Sequence, residues 1–469
     1  MSQLKPDGGK PLEDIGEIKH SSWIHTSYSV GGFLDNLLTA AFTIRVIGFY
    51  EDEVLLPIIF VSIAFAIYGF WNMINDPLAG YISDKTYRFT KRWGRRFPWF
   101  MVSAIPCAIV YFFIFTVPPG DILFIFLWFL ISICLFDLFF SFWNINWNSI
   151  YPDRFRSIKE RTRVAGLYTI LGMIGLALGM LLPPMFITYG VRSTYIIAAM
   201  IIMLISVVCA ILMIPAMRED KELIDRLLRL SIEQEKKESF VHILKFGIKQ
   251  KNFSGFLIVY LAQMVMTTLM LSSFYYFVRY VLRMEAEIEI YISAAFLLGG
   301  MVSVPVWVML GRKFGNRKAI MIGMALTIFL FIPLLVVSTL IATIISAFLL
   351  GIGIGAVWTL RVPAFSEVID ELVIKTGKRQ EGVYYGVMTF FGRLSIIIAA
   401  ITFAIVHEAT GYVPGAETQS PIALVGIRVI FALVPMIFYL IGLLVMWKVY
   451  DLTLDKVKSN EGKLNELNL

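Results

Sequence analysis

Residues 429–447 read VIFALVPMIFYLIGLLVMW, from Val429 to Trp447, without one charged side chain. About 20 apolar residues wound as an α-helix cover the roughly 30 Å of bilayer hydrocarbon. The run is continuous, whereas a transmembrane β-strand would alternate apolar and polar positions. Eleven further runs of this kind precede it, giving twelve expected spans at 27–49, 54–83, 97–118, 121–150, 164–188, 192–215, 252–282, 286–311, 317–338, 341–370, 381–409 and 421–449. The composition agrees. Of 469 residues 58% are hydrophobic and 16% charged, with a mean hydropathy of +0.76, against roughly 25% charged in a soluble domain. Soluble, disordered and collagen-like classes are excluded. The expected fold is an all-α membrane protein of twelve transmembrane helices in two pseudo-symmetric six-helix bundles.

The charges sort by side. One set of loops carries Lys85, Arg88, Lys91, Arg92, Arg95 and Arg96, then Arg154 to Arg163, then Arg312, Lys313, Arg317 and Lys318, then Lys375, Lys378 and Arg379. The alternate loops, such as Glu51-Asp52-Glu53 and His407 to Ser420, hold almost no Lys or Arg. The positive-inside rule assigns the basic loops and both termini to the cytosol of a cell-membrane protein. The net charge of +7 is therefore a topology signal and not the mark of a nucleic-acid partner. Partners are expected to be a small-molecule substrate and membrane lipids, around a monomer. No cofactor is expected beyond Na+ as a coupling ion. Cys107, Cys134 and Cys209 lie in apolar runs as packing residues.

The longest connection, 216–251, divides the chain into a cytosolic tail (1–26), a first bundle (27–215), an amphipathic linker, a second bundle (252–449) and a cytosolic tail (450–469). A weak repeat supports the division. Gly80-x-x-x-Asp84-Lys85 with Trp93-Gly94-Arg95-Arg96 after span 2 is echoed by Gly311-Arg312-Lys313-Phe314-Gly315-Asn316-Arg317 after span 8, as in duplicated transporters. Gly175/Gly179 and Gly351/Gly355, each four apart, fit close helix contacts.

Polar residues at bilayer depth are expensive, about 2.5–3.5 kcal/mol per charge, so those present mark function. On span 2, Asn72, Asn75 and Asp76 share one helix face. Pro77 removes the amide donor that the Met73 carbonyl would otherwise receive. This set suits a small hard cation or a proton. On span 4, Asp137, Ser141, Asn144 and Asn148 follow i, i+4, i+7, i+11, beside Trp143 and Trp147, which suits an amphipathic or sugar-like solute. Asp35 and Asn36 face from span 1. On span 10 Trp358, a substrate-binding candidate, lies one turn before Arg361; Arg361 and Arg393 of span 11 either pair with first-half aspartates or meet an anionic substrate group. Arg45 is expected to reach toward Glu51 or Asp52. The gating candidates are Asp84, Arg92, Arg95, Arg312, Glu367, Asp370 and Arg379. Walker, HExxH and Ser/His/Asp patterns are missing, so no enzyme is expected, and a channel or membrane enzyme is a remote alternative.

Taken together, Tyr28-x-x-Gly31-x-x-x-x-Asn36, Trp71-x-x-x-Asn75-Asp76-Pro77-x-x-Gly80, Arg92-Trp93-Gly94-Arg95-Arg96-x-Pro98-Trp99, Trp147-Asn148-Ser149-Ile150-Tyr151-Pro152 and Thr376-Gly377-Lys378-Arg379-x-Glu381-Gly382 resemble the glycoside–pentoside–hexuronide cation symporters. That branch of the major facilitator superfamily includes melibiose permease and is related to vertebrate lysolipid carriers. The resemblance implies alternating access coupled to Na+, Li+ or H+. It places Asp76 as the central cation carboxylate, Ser141 as a hydroxyl ligand and Trp358 as a cavity tryptophan. Arg393 stands where a lysine links the cation and substrate sites. The departures bear on substrate: Asn72 replaces a second cation carboxylate, Asn36 and Asn144 replace sugar-binding aspartates, and Thr169 replaces an arginine. One carboxylate on span 2 favours H+ or weak Na+ coupling. The expected solute is a sugar, glycoside or hexuronide-like anion; a lysophospholipid or other amphiphile is the alternative.

Overall fold

The computed structural model describes residues 20–85, 87–155, 157–221, 224, 247–377 and 381–466. Among them, twelve helices are long and apolar enough to cross a membrane: α1 (Ser22–Glu53), α2 (Ile58–Asp84), α3 (Phe97–Phe115), α4 (Ile122–Arg154), α5 (Lys159–Met185), α6 (Arg192–Met217), α7 (Lys251–Val281), α8 (Ile288–Phe314), α9 (Asn316–Leu335), α10 (Leu340–Thr376), α11 (Val383–Thr410) and α12 (Pro421–Lys448). Several start where the side chain of a preceding residue accepts from a free backbone N–H, as Asp121 does from Phe124 at 2.9 Å and Ser420 from Ala423 at 3.1 Å. α4 and α10 run past their apolar stretches at the ends nearest the basic loops, and α1 runs on through the acidic π-helical turn Phe49–Glu53 at the other end. Most of the expected amphipathic linker (residues 222, 223 and 225–246) lies outside the described residues.

The packing is twofold. In the first half α1 packs on α5 and α6, α4 on α2 and α3, and α3 on α6. In the second half α7 packs on α11 and α12, α10 on α8 and α9, and α9 on α12. Adding six to each first-half helix gives its second-half counterpart. The halves meet through α1–α7, α2–α11 and α5–α8, which obey the same rule. Small residues permit the closest approaches. A Cβ on Gly175 would strike the carbonyl oxygen of Phe33, and one on Gly351 that of Phe296. The repeated basic loops also match, since Gly94 and Gly315 turn the chain at φ +88° and +84°, which favours glycine.

Candidate substrate and coupling site

Three helices of the junction between the halves, α1, α2 and α11, together with α4 packed on α2, carry the central polar groups. Asp76 on α2 accepts from Ser141 Oγ on α4 at 2.5 Å through Oδ1. Its Oδ2 accepts from Arg393 Nη2 on α11 at 3.0 Å. Arg393 therefore takes the ion-pairing role left open by the sequence, and its field also acts on Asp35 and Asp137.

The set expected on α2 divides. Asn72 and Asn75 are buried and donate away from Asp76, to Asp137 of α4. Asn75 Nδ2 lies 3.1 Å from Asp137 Oδ2 and 3.0 Å from the Asp137 carbonyl. Asp137 is consequently buried among amides and does not line the substrate cavity, a correction to its expected place. The reason is that a buried carboxyl group needs hydrogen-bond partners, and the amides of α2 are within reach. It also means that a second carboxylate stands next to α2 after all, supplied by α4. The Oδ1 atoms of Asn72 and Asn75 are buried with no hydrogen-bond partner among the described residues.

A second cluster joins α1 and α4. Asn144 donates to Asp35 Oδ1 at 2.8 Å, and Asn148 donates to Asn144 Oδ1 at 3.0 Å. Asn36 turns back to the Gly32 carbonyl at 2.9 Å. Trp147, expected at the substrate, is buried: its indole N–H donates to the Tyr28 carbonyl at 3.0 Å and its ring stacks on Tyr28. Gly31 lies directly under that ring, where a Cβ would collide. Trp147 thus fastens α4 to α1 and is withdrawn from the cavity. From the other half, Trp358 is 36% exposed and meets Phe296 edge-on. Arg361 sits over the Tyr260 ring at 5.4 Å. Among the described residues no carboxylate is within ion-pair reach of Arg361, while its field acts on Tyr168 of the first half.

At the end bearing the basic loops, Arg96 pairs with Asp84 at 2.6 Å. Arg95 lies 3.9 Å from Asp153, and Arg92 covers Trp93. The backbone N–H groups of Arg96 and Phe97 donate to Glu219, which fixes this turn. Burial holds the Arg96 guanidinium below its ordinary pKa, offset by Asp84. Glu367 accepts from Asn316 at 2.7 Å. Arg312 is exposed and Asp370 half-buried, both at this end, and Arg379 lies outside the described residues.

Sequence reasoning missed the opposite end. Arg45 pairs with Glu289 of α8, at 2.9 Å through Nη1, and not with Glu51 or Asp52. The latter two, with Glu53, fold into a π-helical turn at the end of α1 and accept from second-half side chains, Glu53 also from Tyr195 and the Gly190 N–H of the first half. The readable signal was an acidic triplet opposite the Arg279 region of the repeat.

A family model described as MFS/sugar transport protein matches residues 27–454. The chain belongs to that family. It is a multi-pass membrane transporter of the major facilitator superfamily, not an enzyme. Curated relatives include the sodium-dependent lysophosphatidylcholine symporter 1-A of Danio rerio, 22% identical over 95% of this chain and 88% of that protein. A sphingosine-1-phosphate transporter of Xenopus tropicalis is 23% identical over 97% and 92%. The crystal structure of a D-xylose–proton symporter has the same fold, with a TM-score of 0.63 at 14% identity, covering 92% of this chain and 98% of that one. The comparisons support the superfamily; they do not single out the glycoside–pentoside–hexuronide branch.

Proposed function

We propose that this transporter is a cation-coupled symporter of an amphiphile that combines a phosphate headgroup with a single aliphatic chain. The observation that carries this reading is Arg361, a cation with no acid partner among the described residues, set near Trp358, Tyr260 and Tyr168. Phosphate on one aliphatic chain is the chemistry common to the two lipid-carrying relatives named above, and a guanidinium recognises it by paired hydrogen bonds. This ranks the lipid alternative above the sugar expected from the sequence. A sugar derivative stays as the second reading because Asp35, Asn144 and Asn148 form a carboxylate–amide row suited to hydroxyl groups.

Coupling is assigned to Asp76 with Ser141, the buried oxygens of Asn72 and Asn75 standing near. In the empty site Arg393 neutralises Asp76; a proton or Na+ arriving there replaces the guanidinium, which then turns to the substrate. The halves rock about α1–α7, and the Asp84–Arg96 turn and the Arg312–Asn316 loop break and remake contacts at the cytosolic end. The positive-inside rule supports cytosolic termini in a cell membrane.

The deciding experiment is uptake into proteoliposomes of lysophosphatidylcholine, sphingosine-1-phosphate, a glycoside and a hexuronide, under crossed Na+ and pH gradients. Gradient-driven accumulation of a phosphate amphiphile is expected. Accumulation of the glycoside or hexuronide alone would replace this reading with the second, and ATP dependence would sink both.

A further inference from the structure

Two opposite charges from different halves stand near Tyr168 of α5, Asp35 of α1 and Arg361 of α10. Both are partly exposed. Asp35 Oδ1 accepts from Asn144 at 2.8 Å, while among the described residues its Oδ2 has no donor and no cation is within ion-pair reach. Arg393, whose field reaches Asp35, is held by Asp76 at 3.0 Å. Arg361 has no acid among the described residues, and its Nε is buried without a partner there. The two charges do not pair with each other either. What surrounds them is aromatic. A Cβ on Gly32, one helical turn before Asp35, would strike the Tyr168 ring. Arg361 sits 5.4 Å over the Tyr260 ring, and that ring in turn lies against Gly392, the neighbour of Arg393. Tyr385 of α11, 45% exposed, acts on both Tyr168 and Tyr260.

We propose that Asp35 is an ammonium site: the cargo is a zwitterion whose anionic group lies on Arg361 and whose positive nitrogen lies on Asp35 Oδ2, among the tyrosine rings. Charge within a membrane-spanning bundle is costly unless matched. An acid and a base left open in opposite halves are together the negative image of a ligand that carries both signs. The inference rests on the phosphate-amphiphile reading above and narrows it to headgroups that also bear an ammonium. A carboxylate attracts that group through its charge, whether or not the nitrogen has N–H donors, and phenol faces add cation–π attraction. The same arrangement discriminates. A phosphate lipid without the nitrogen leaves Asp35 unmatched, and one with a second anionic group meets it with like charge. Because Asp35 belongs to the first half and Arg361 to the second, a single bound headgroup ties the two halves together.

The test is competition binding to the purified full chain in detergent, with lauroyl lysophosphatidylcholine set against lauroyl lysophosphatidylglycerol. The two share chain and phosphate and differ in the nitrogen. The wild type is expected to bind the choline lipid about tenfold or more tightly, the scale of a charge-assisted contact. Asp35→Asn keeps the shape and an acceptor for Asn144, so it should erase this preference by weakening the choline lipid alone. Asp35→Glu should keep a preference, and Arg361→Gln should weaken both lipids alike without changing their ratio. Equal affinities in the wild type, or a preference that survives Asp35→Asn, would overturn the ammonium site and leave the phosphate reading standing. Equal loss of both lipids in Asp35→Asn and in Asp35→Glu would make Asp35 a positioning residue for Asn144, which overturns the site as well. A wild type that binds a glycoside and neither lipid would remove the phosphate reading and this inference with it.

Discussion

Arg393 of α11 and Asp76 of α2 form an ion pair at 3.0 Å that bridges the two halves beside the cavity. Ser141 holds the other oxygen of Asp76, so both carboxylate oxygens have a donor. On the coupling proposed above, an ion arriving at Asp76 competes with this guanidinium, which would tie loading to movement of the halves.

Asp76→Asn removes the charge for which the two cations compete. Accumulation against a gradient should fall to the level of protein-free liposomes, while equilibrium exchange of substrate persists at about a tenth or more of the normal rate. Counterflow and gradient-driven uptake measured side by side check this, and full accumulation by the variant would reassign the coupling site.

Arg361 separates substrate classes. Arg361→Gln should weaken uptake of a phosphate-bearing amphiphile at least about tenfold, the scale of a lost charge-assisted bond, and leave an uncharged glycoside within about twofold. Competition binding with both ligands gives the answer; equal losses would make Arg361 a structural residue.

Arg45 and Glu289 are both buried and joined by two hydrogen bonds, with Tyr189 also donating to Glu289. Removing only one partner leaves a buried unpaired charge, worth about 3–5 kcal/mol. Glu289→Leu should lower the thermal unfolding midpoint markedly, and the double variant Arg45→Met/Glu289→Leu should recover much of it. Detergent thermal-shift curves for the three proteins test the point.

Gly175 and Gly351 face carbonyl oxygens of Phe33 and Phe296 across α5–α1 and α10–α8. Gly175→Val and Gly351→Val should each destabilise by about 1–3 kcal/mol through forced separation of the helices. Gly190→Ala, which has no neighbouring atom within 4 Å of its Cβ, leaves packing untouched and reports only the strain of its φ of +84°. Monodispersity on gel filtration after heating ranks the three.

The twelve spans and the duplicated layout were legible because hydropathy is local: each helix must satisfy its own backbone in lipid, so its length and apolar content appear in consecutive residues. Site legibility varied with the range of the interaction. Asp76 and Ser141 stood out as polar groups at depth, and the spacing on span 4 correctly aligned Asn144 with Asn148. Trp147 and Asp137 were misplaced because their environments are set by Tyr28 of α1 and the amides of α2, at sequence separations of 119 and 62–65 residues. Arg96, which pairs with Asp84, was not among the gating candidates, since sequence alone does not say which of two adjacent arginines turns toward it.

The sequence alone determined a twelve-span duplicated carrier, the basic face that fixes its expected orientation, and a short roster of polar groups within the membrane. Tertiary structure alone decided who pairs with whom: Arg393 with Asp76, Asn72 and Asn75 with Asp137, Arg45 with Glu289, and the acidic turn of α1 with the tyrosines, Arg279 and His407 of the second half. The physical reason is that crossing a bilayer is enforced residue by residue along the chain, whereas neutralising a buried charge depends on which helix the fold sets beside it.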